Sequence, residues 1–165
     1  MKIELREWNH DNIDDLIYLC NHADRTYLTT RMPYPYNEND ALWHIDYIKK
    51  CGKDGLFRAI YVDNKIAGSI SIERREDVCR IDSEIGYHLL KEYQGCKIMT
   101  HVVSKMVDLA FDTMDILRIT GEVYEPNIAS SRVLEKNGFV LEGIKKKAVI
   151  KDNVIYSLCI FGMYK

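Results

Sequence analysis

The sequence predicts an α/β fold built on a mixed, twisted sheet of about seven strands, with helices on both faces. Short strand-like segments alternate with helical ones along the chain. A strand–helix–strand passage through residues 81–124 requires a right-handed parallel crossover, whereas hairpins on either side of it require antiparallel pairs. A chain of 165 residues has the size of one domain, which we expect to span residues 1–165.

The first part of the chain predicts a strand followed by two helices. Residues 3–8 alternate between apolar and charged types, which predicts a strand and not a signal peptide. Asn9–Asp11 can cap a first helix, and Asn37 can cap a second. The prolines in Met32–Tyr36 exclude a helix between the two, because each disfavours helical backbone in the preceding residue.

Three strands are predicted next. Residues 56–62 and 66–74 predict a hairpin that turns at Asp63–Asn64. Residues 81–89 predict a third strand, and its polar face carries Asp82, Glu84, Gly86 and His88.

The second half of the chain predicts a helix, a strand, a helix and a final pair of strands. The helix over residues 98–114 has an apolar stripe, and residues 117–124 form the strand that follows it. Pro126 and Asn127 begin the next helix. Residues 140–151 and 154–163 complete the sheet, with a turn between them at Asp152–Asn153.

Composition excludes several functional classes. The net charge is -2, so no global basic field attracts nucleic acid or an anionic membrane. The basic run Lys145–Lys147 is short and is expected at a solvated strand edge or turn. The five cysteines are scattered without metal-ligand spacing, so we assign no metal and expect a reducing cytoplasm.

The most informative motif lies in residues 127–139, which read N-x-x-S-x-R-V-L-E-K-x-G-F. It resembles the C-terminal signature of the GNAT superfamily of acyl-CoA N-acyltransferases, in the ribosomal-protein-alanine acetyltransferase-like (RimJ/RimL-like) branch. The predicted element order matches the GNAT fold along nearly the whole chain. The resemblance implies a single GNAT-like domain that acetylates a primary amine and uses acetyl-CoA as co-substrate, without a metal.

A second motif, in residues 92–100, is similar to the pyrophosphate loop of the same branch, Q-G-x-G-x-x-T. The resemblance implies that the donor's phosphates lie at the start of the helix, where backbone N–H groups are unpaired. The implied loop residues are Gln94, Gly95, Cys96, Lys97, Ile98, Met99 and Thr100.

Lys97 departs from the family, which usually has glycine at this position. The lysine either pairs with a phosphate or weakens binding of CoA. We expect it at the opening of a right-handed helix, where no positive φ is needed.

The strand that precedes this loop resembles the family's E-I-G-Y strand. The resemblance implies that the backbone at Ile85, Gly86 and Tyr87 pairs with the pantetheine amides, as a peptide adds to a sheet edge.

Acetyl transfer requires loss of a proton from the amine, polarisation of the thioester and protonation of the thiolate. The family's signature implies Ser130 as the proton donor and Asn127 as a ligand of the pantetheine arm. From the residues alone, both also fit simple helix capping. Glu84 is the first candidate base and Glu122 the second, although either carboxylate could be merely solvated or ion-paired. Tyr87, Tyr124 and Tyr156 are further candidates for acids or pocket walls.

The acceptor pocket is expected in the variable part of the chain. Tyr34 and Tyr36 lie in a P-Y-P-Y segment common in this branch, and Trp43 follows on the next helix. All three could instead belong to the core or to an interface.

Two functions remain open at this point. One is N-acetyl transfer to a protein N-terminus or a small amine, with neither nucleic acid nor membrane as partner. The other is acyl-CoA binding or regulation by a degenerate site, which Lys97 favours. The acceptor, the length of the acyl group and the choice between monomer and homodimer stay undetermined.

Overall fold

The computed structural model describes the whole chain, residues Met1–Lys165. The four α-helices are α1 (Ile13–His22), α2 (Glu38–Cys51), α3 (Ile98–Thr113) and α4 (Ile128–Lys136). The strands are β1 (Ile3–Glu7), β2 (Gly55–Val62), β3 (Lys65–Arg74), β4 (Asp82–Leu89), β5 (Arg118–Tyr124), β6 (Val140–Lys151) and β7 (Val154–Tyr164). The predicted order of elements is confirmed throughout.

The strands form one mixed sheet of seven, in the order β1-β2-β3-β4-β5-β7-β6. The predicted parallel neighbours, β4 and β5, are confirmed. The pairs β1–β2, β5–β7 and β6–β7 are antiparallel. The sequence-based expectation of a mixed α/β fold is therefore correct.

Contacts divide the chain into two compact units. The first comprises Met1–Ser71 and Tyr87–Ile98, and the second comprises Ile72–Gly86 and Met99–Lys165. The expectation of one domain over residues 1–165 stays a prediction.

Both predicted hairpin turns form at Asp-Asn pairs. Asp63 and Asn64 have φ of 49° and 64°, and Asp152 and Asn153 have φ of 49° and 63°. Two successive left-handed residues define the turn whose twist matches that of paired strands, and Asn and Asp tolerate this backbone better than other residues. The local sequence therefore sets the register of each hairpin.

The first unit has a core in which α1 and α2 pack their apolar faces. Asn37 caps α2 by accepting from the backbone N–H of Asp40, whose side chain accepts in return from the Asn37 N–H. The buried cluster of this unit is Trp8, Leu16, Leu19, Cys20, Tyr36, Ala41, Phe57, Ala59, Tyr61, Ile66 and Leu90.

The second unit is built around α3. The predicted apolar stripe of this helix is buried at Val102, Val103, Met106, Ala110 and Met114.

The end of α4 explains the glycine and the aromatic residue that close the signature. The N–H of Phe139 donates to the Leu134 carbonyl and the N–H of Gly138 donates to the Glu135 carbonyl, at 3.1 and 3.0 Å. Gly138 has a φ of 84°, and Phe139 is buried. This is a Schellman motif with its usual apolar anchor, and it stops the helix at a defined residue.

We expect Gly138→Ala to lower the free energy of unfolding by about 1–2 kcal/mol, because a side chain with a Cβ is strained in left-handed backbone. Gly143→Ala is the matched control, since a Cβ there meets nothing within 4 Å. Urea denaturation of both variants measures the difference. Equal midpoints for the two would show that Gly138 is not needed for its conformation.

Candidate active site

Strands β4 and β5 pair only over their first residues. The parallel register joins Asp82 to Arg118, Ser83 to Ile119 and Glu84 to Thr120, and no later pair exists. Strand β4 continues to Leu89, while β5 pairs with β7 over its full length. The ladder therefore ends in a gap beside Ile85 and Gly86, which are the next residues of β4 and belong to the second unit.

Helix α4 begins directly after β5 and is fixed by Asn127. The Asn127 side-chain oxygen accepts from the backbone N–H of Ser130 at 3.2 Å, and the Asn127 N–H donates to the Tyr124 carbonyl at 2.8 Å. Asn127 is thus a helix cap, as its local sequence indicated. Ser130 is half-buried in the first turn of α4.

A glycine on β5 allows α4 to lie close to the sheet. A Cβ at Gly121 would stand 2.6 Å from Leu134 Cδ1 and 3.5 Å from Ile85 Cγ2. Ile85 of β4 is also buried beside Gly121. Strands β4 and β5 and helix α4 therefore pack around Gly121 without space for a further carbon.

The opposite face of β4 and β5 is charged. Both base candidates lie there and both contact Arg75, which follows β3. Arg75 Nη2 is 3.1 Å from Glu122 Oε1 and 3.4 Å from Glu84 Oε2. Lys145 Nζ adds a contact of 3.7 Å to Glu122. Both carboxylates are therefore ion-paired, as one of the two interpretations expected. Their role as bases stays a prediction.

Asp82 joins this network to the start of β5. Its carboxylate accepts from the Thr120 hydroxyl at 2.9 Å and lies 3.4 Å from both Arg75 Nε and Arg118 Nε. Arg118 in turn donates two hydrogen bonds to the Glu142 carboxylate. The guanidinium of Arg118 is therefore paired with carboxylates on both sides.

Tyr124, at the end of β5, is partly buried, and its pKa is raised. Burial raises the pKa of Tyr124, with a smaller contribution from Tyr156. The two rings meet edge to face, with centroids 5.4 Å apart. A phenol in this state stays protonated at neutral pH, which is what an acid or a pocket wall requires.

The loop before α3 adopts a backbone that differs from the sequence-based expectation for Lys97. Gly95 has a φ of 76° and Lys97 a φ of 61°. The expectation that Lys97 lies in right-handed backbone is therefore wrong, because the chain turns twice through left-handed backbone before α3 begins at Ile98. Lysine occupies a conformation that glycine adopts without strain.

The same loop presents unpaired donors. The backbone N–H groups of Gly95 and Lys97 form no loop hydrogen bond to a backbone carbonyl. Gln94 is tied back by a 3.3 Å hydrogen bond from its side chain to the Leu89 carbonyl. Gln94 to Lys97 are exposed, so an anion can reach the N–H groups of the loop.

The three residues expected at the acceptor differ in exposure. Tyr34 and Trp43 are 69% and 68% exposed, whereas Tyr36 is only 7% exposed. Tyr36 lies in the core of the first unit, and its backbone exchanges two hydrogen bonds with the Asn21 side chain. Tyr36 therefore packs in the core, which an aromatic residue suits as well as a pocket wall, and its place at the acceptor stays a prediction.

A histidine on β4 is held neutral. Burial, with a contribution from the Arg25 guanidinium, lowers the pKa of His88 to about 4. The His88 Nε2 atom is shielded from solvent and has no hydrogen-bond partner. Both His88 and Arg25 belong to the first unit.

Sequence reasoning missed Arg75, Asp82 and Arg118 as parts of the charged network. One signal was present for Asp82, because alternation along β4 places it on the same face as Glu84. Nothing in the local sequence links Arg75 to Glu122, which are 47 residues apart.

Comparison with known proteins decides the family. The sequence profile of the acetyltransferase (GNAT) domain matches residues 2–140. The chain belongs to the GNAT acetyltransferase family. It is 37% identical over 109 residues to the probable N-acetyltransferase YjcK of Bacillus subtilis, a match that covers 63% of this chain and 59% of that protein. The chain spans roughly half to three fifths of the length of the curated relatives that it matches.

Solved GNAT structures share the fold. The ribosomal L7/L12 alpha-N-protein acetyltransferase RimL, in complex with coenzyme A, has a TM-score of 0.87 at 21% identity and covers 99% of this chain and 94% of its own. The microcin C7 self-immunity acetyltransferase MccE, in complex with acetyl-CoA and AMP, has a TM-score of 0.82 at 24% identity, with coverage of 99% and 93%. At these identities the likeness establishes the GNAT fold.

Two further findings concern metal ions and membranes. No group of three or more His, Cys, Asp or Glu side chains is placed to hold a metal ion. None of the helices is both long enough and apolar enough to cross a membrane.

We expect the depressed pKa of His88 to make stability depend on pH. The unfolded value is about 6.5, so between that pH and about 4 the unfolded chain binds a proton that the folded chain does not. Stability is therefore fully present above about pH 6.5 and falls as the pH decreases. The loss between pH 8 and pH 5 should be about 2 kcal/mol.

Urea denaturation of wild type and His88→Gln at several pH values measures this. The difference in unfolding free energy between the two proteins should change with pH only below about pH 6.5. A constant difference from pH 8 to pH 5 would show that His88 titrates alike in both states.

Proposed function

We propose that this protein is an N-acetyltransferase that moves the acetyl group of acetyl-CoA to a primary amine by direct attack. The observation that carries the proposal is the early end of the β4–β5 ladder, beside an Asn-capped helix that carries Ser130, in a chain of the GNAT family. The gap offers backbone partners for a pantetheine arm, and the charged face offers carboxylates for an amine.

In this proposal the donor binds through backbone groups. The N–H groups of Gly95 to Ile98 bind the pyrophosphate, with Gln94, Met99 and Thr100 completing the loop. The backbone of Ile85, Gly86 and Tyr87 pairs with the pantetheine amides. Asn127 uses its oxygen for the cap, which leaves its side-chain nitrogen to donate to the donor's arm.

The proposed chemistry needs no enzyme nucleophile. The ammonium of the acceptor gives a proton to Glu84, directly or through water, and Glu122 is the second candidate for this role. The amine lone pair forms the new C–N bond at the thioester carbonyl, and the C–S bond breaks. The thiolate then takes a proton from the Ser130 hydroxyl, with Tyr124 as the alternative donor. The nitrogen of the new amide releases its remaining extra proton, which replaces the one that the hydroxyl gave, and Glu84 returns its own proton to solvent.

The acceptor is a protein N-terminus or a small amine. RimL bears the name of a protein N-terminal acetyltransferase, and MccE that of an immunity enzyme. The exposed rings of Tyr34 and Trp43 are proposed walls for the acceptor. All five cysteines are free, which suits a reducing cytoplasm.

Calorimetric titration with acetyl-CoA tests donor binding. We expect micromolar affinity and a corresponding rise in the midpoint of thermal unfolding, because a ligand that binds only the folded state stabilises it. Absence of heat and of any thermal shift at millimolar acetyl-CoA would rule out the proposed enzyme.

The charge of Lys97 should strengthen binding of acetyl-CoA. Lys97→Gly and Lys97→Asn both remove the charge, and both residues tolerate the left-handed backbone of this position. We expect each to weaken binding about two- to fivefold at low salt, because an exposed charge pair contributes up to about 1 kcal/mol. The difference should shrink as salt is added. Tighter binding by both variants at every salt concentration would show instead that Lys97 obstructs the phosphates.

Ser130→Ala should lower kcat by about 10²–10⁴-fold while acetyl-CoA affinity changes little. The substitution keeps the backbone N–H that Asn127 accepts from, so capping survives. The matched control is Ser131→Ala, one residue further along α4, which should retain kcat. Full turnover by Ser130→Ala would assign the proton donation to another group, with Tyr124→Phe as the next variant.

A further inference from the structure

Arg75 contacts carboxylates from two different strands at the point where those strands separate. It lies just beyond β3, and its backbone N–H donates to the Asp82 carbonyl at 2.9 Å. The same terminal nitrogen, Nη2, contacts Glu84 of β4 at 3.4 Å and Glu122 of β5 at 3.1 Å. One guanidinium therefore ties together both candidate bases.

The Nε atom of this guanidinium faces the protein interior and not the solvent. Its Nε atom is shielded from solvent and lies 3.4 Å from the Asp82 carboxylate. The Arg75 side chain is 33% exposed, whereas that of Glu84 is 55% exposed and that of Glu122 is 23% exposed. Arg75 and Glu122 are thus the more buried pair, and Glu84 reaches solvent from the edge of the cluster.

The two carboxylates are not equivalent. Glu122 accepts a hydrogen bond from Arg75 and also faces Lys145, so it has two cationic partners. Glu84 has the longer contact to Arg75 and the greater exposure. Of the two, Glu84 is therefore better placed to take a proton from an incoming ammonium, and Glu122 is better placed to anchor Arg75.

A purely stabilising role explains this arrangement poorly. Partly exposed ion pairs contribute little to stability, typically below about 1 kcal/mol. Two carboxylates brought together without a cation would repel each other, and one of them would tend to hold a proton. A guanidinium between them offsets that repulsion, so both carboxylates can lie on one cation.

We propose that Arg75 is a positioning residue of the acetyl transfer, which holds Glu84 ionised and aimed at the acceptor amine by anchoring on Glu122. This inference rests on the proposed function and adds a residue from outside the motifs to it. The charged groups that face the cluster are Asp82 of β4, Arg118 of β5, and Glu142 and Lys145 of β6.

Steady-state kinetics of Arg75→Gln and Arg75→Lys test the role. Arg75→Gln should lower kcat about 10²-fold, since misplacement of a catalytic group costs that much, and leave the KM for acetyl-CoA unchanged. Removal of a cation beside a carboxylate disfavours its ionised form, so the rising limb of the pH–rate profile should move to higher pH. Arg75→Lys keeps the charge but lacks the planar fork, so it should restore the position of the limb and only part of kcat.

Arg118→Gln is the matched control, because Arg118 is also partly buried and also contacts two carboxylates of the same face. It should leave the pH–rate profile in place. Glu84→Gln should flatten the rising limb. Glu122→Gln removes the anchor of Arg75 together with a negative charge beside Glu84, so it should lower kcat without moving the limb to higher pH.

The outcomes separate this inference from the proposed function. No transfer by the wild-type protein to any amine, with acetyl-CoA bound, overturns both. Transfer by the wild type together with an unshifted profile and full kcat in Arg75→Gln overturns the role of Arg75 alone. An equal shift in Arg118→Gln would show a general electrostatic effect and would also overturn it.

Discussion

The site depends on one constraint, which is the length of the parallel ladder between β4 and β5. Three residues of each strand pair, and the ladder then ends, while β5 stays paired with β7 along its other edge over its full length. Buried or half-buried backbone groups need partners. A strand whose neighbour ends part-way along it can therefore hydrogen-bond through its backbone to a ligand that contains amide groups. This property does not depend on which side chains the strand carries. The proposed donor fits because pantetheine offers such groups at a spacing similar to that of a peptide.

The positions of two sets of side chains depend on the separation of β4 and β5. On one face, the buried residues of β4 and β5 meet α4, so the first turn of that helix is set beside the gap by packing. On the other face, alternation places the polar and charged residues of the strands' first halves. Each carboxylate of the cluster has a guanidinium, an ammonium or a hydroxyl within reach, and each arginine contacts a carboxylate. Charges of opposite sign are therefore paired near the proposed chemistry.

Much of the fold could be predicted from the sequence because its signals are local. Apolar periodicity identifies α3, Asp-Asn pairs identify two turns, and Gly138 with Phe139 ends α4 by a motif of fixed spacing. The parallel crossover followed from chain connectivity. Lys97 shows one limit of prediction from local signals. Apolar periodicity does not indicate whether a single loop residue has left-handed backbone. Tyr36 shows a second limit, since hydrophobicity alone does not distinguish a pocket wall from a core. The Arg75 cluster shows a third, because it joins residues from three separate strands or strand ends.

Gly121 sets the spacing between a helix and a strand. The missing side chain allows Leu134 to approach β5, and the same helix carries the Asn127 cap and Ser130 at its other end. A Cβ at position 121 would stand 2.6 Å from a Leu134 methyl group, so the leucine would have to give way. Interior packing alone, without regard to any chemistry, thus limits the choice of residue at this position.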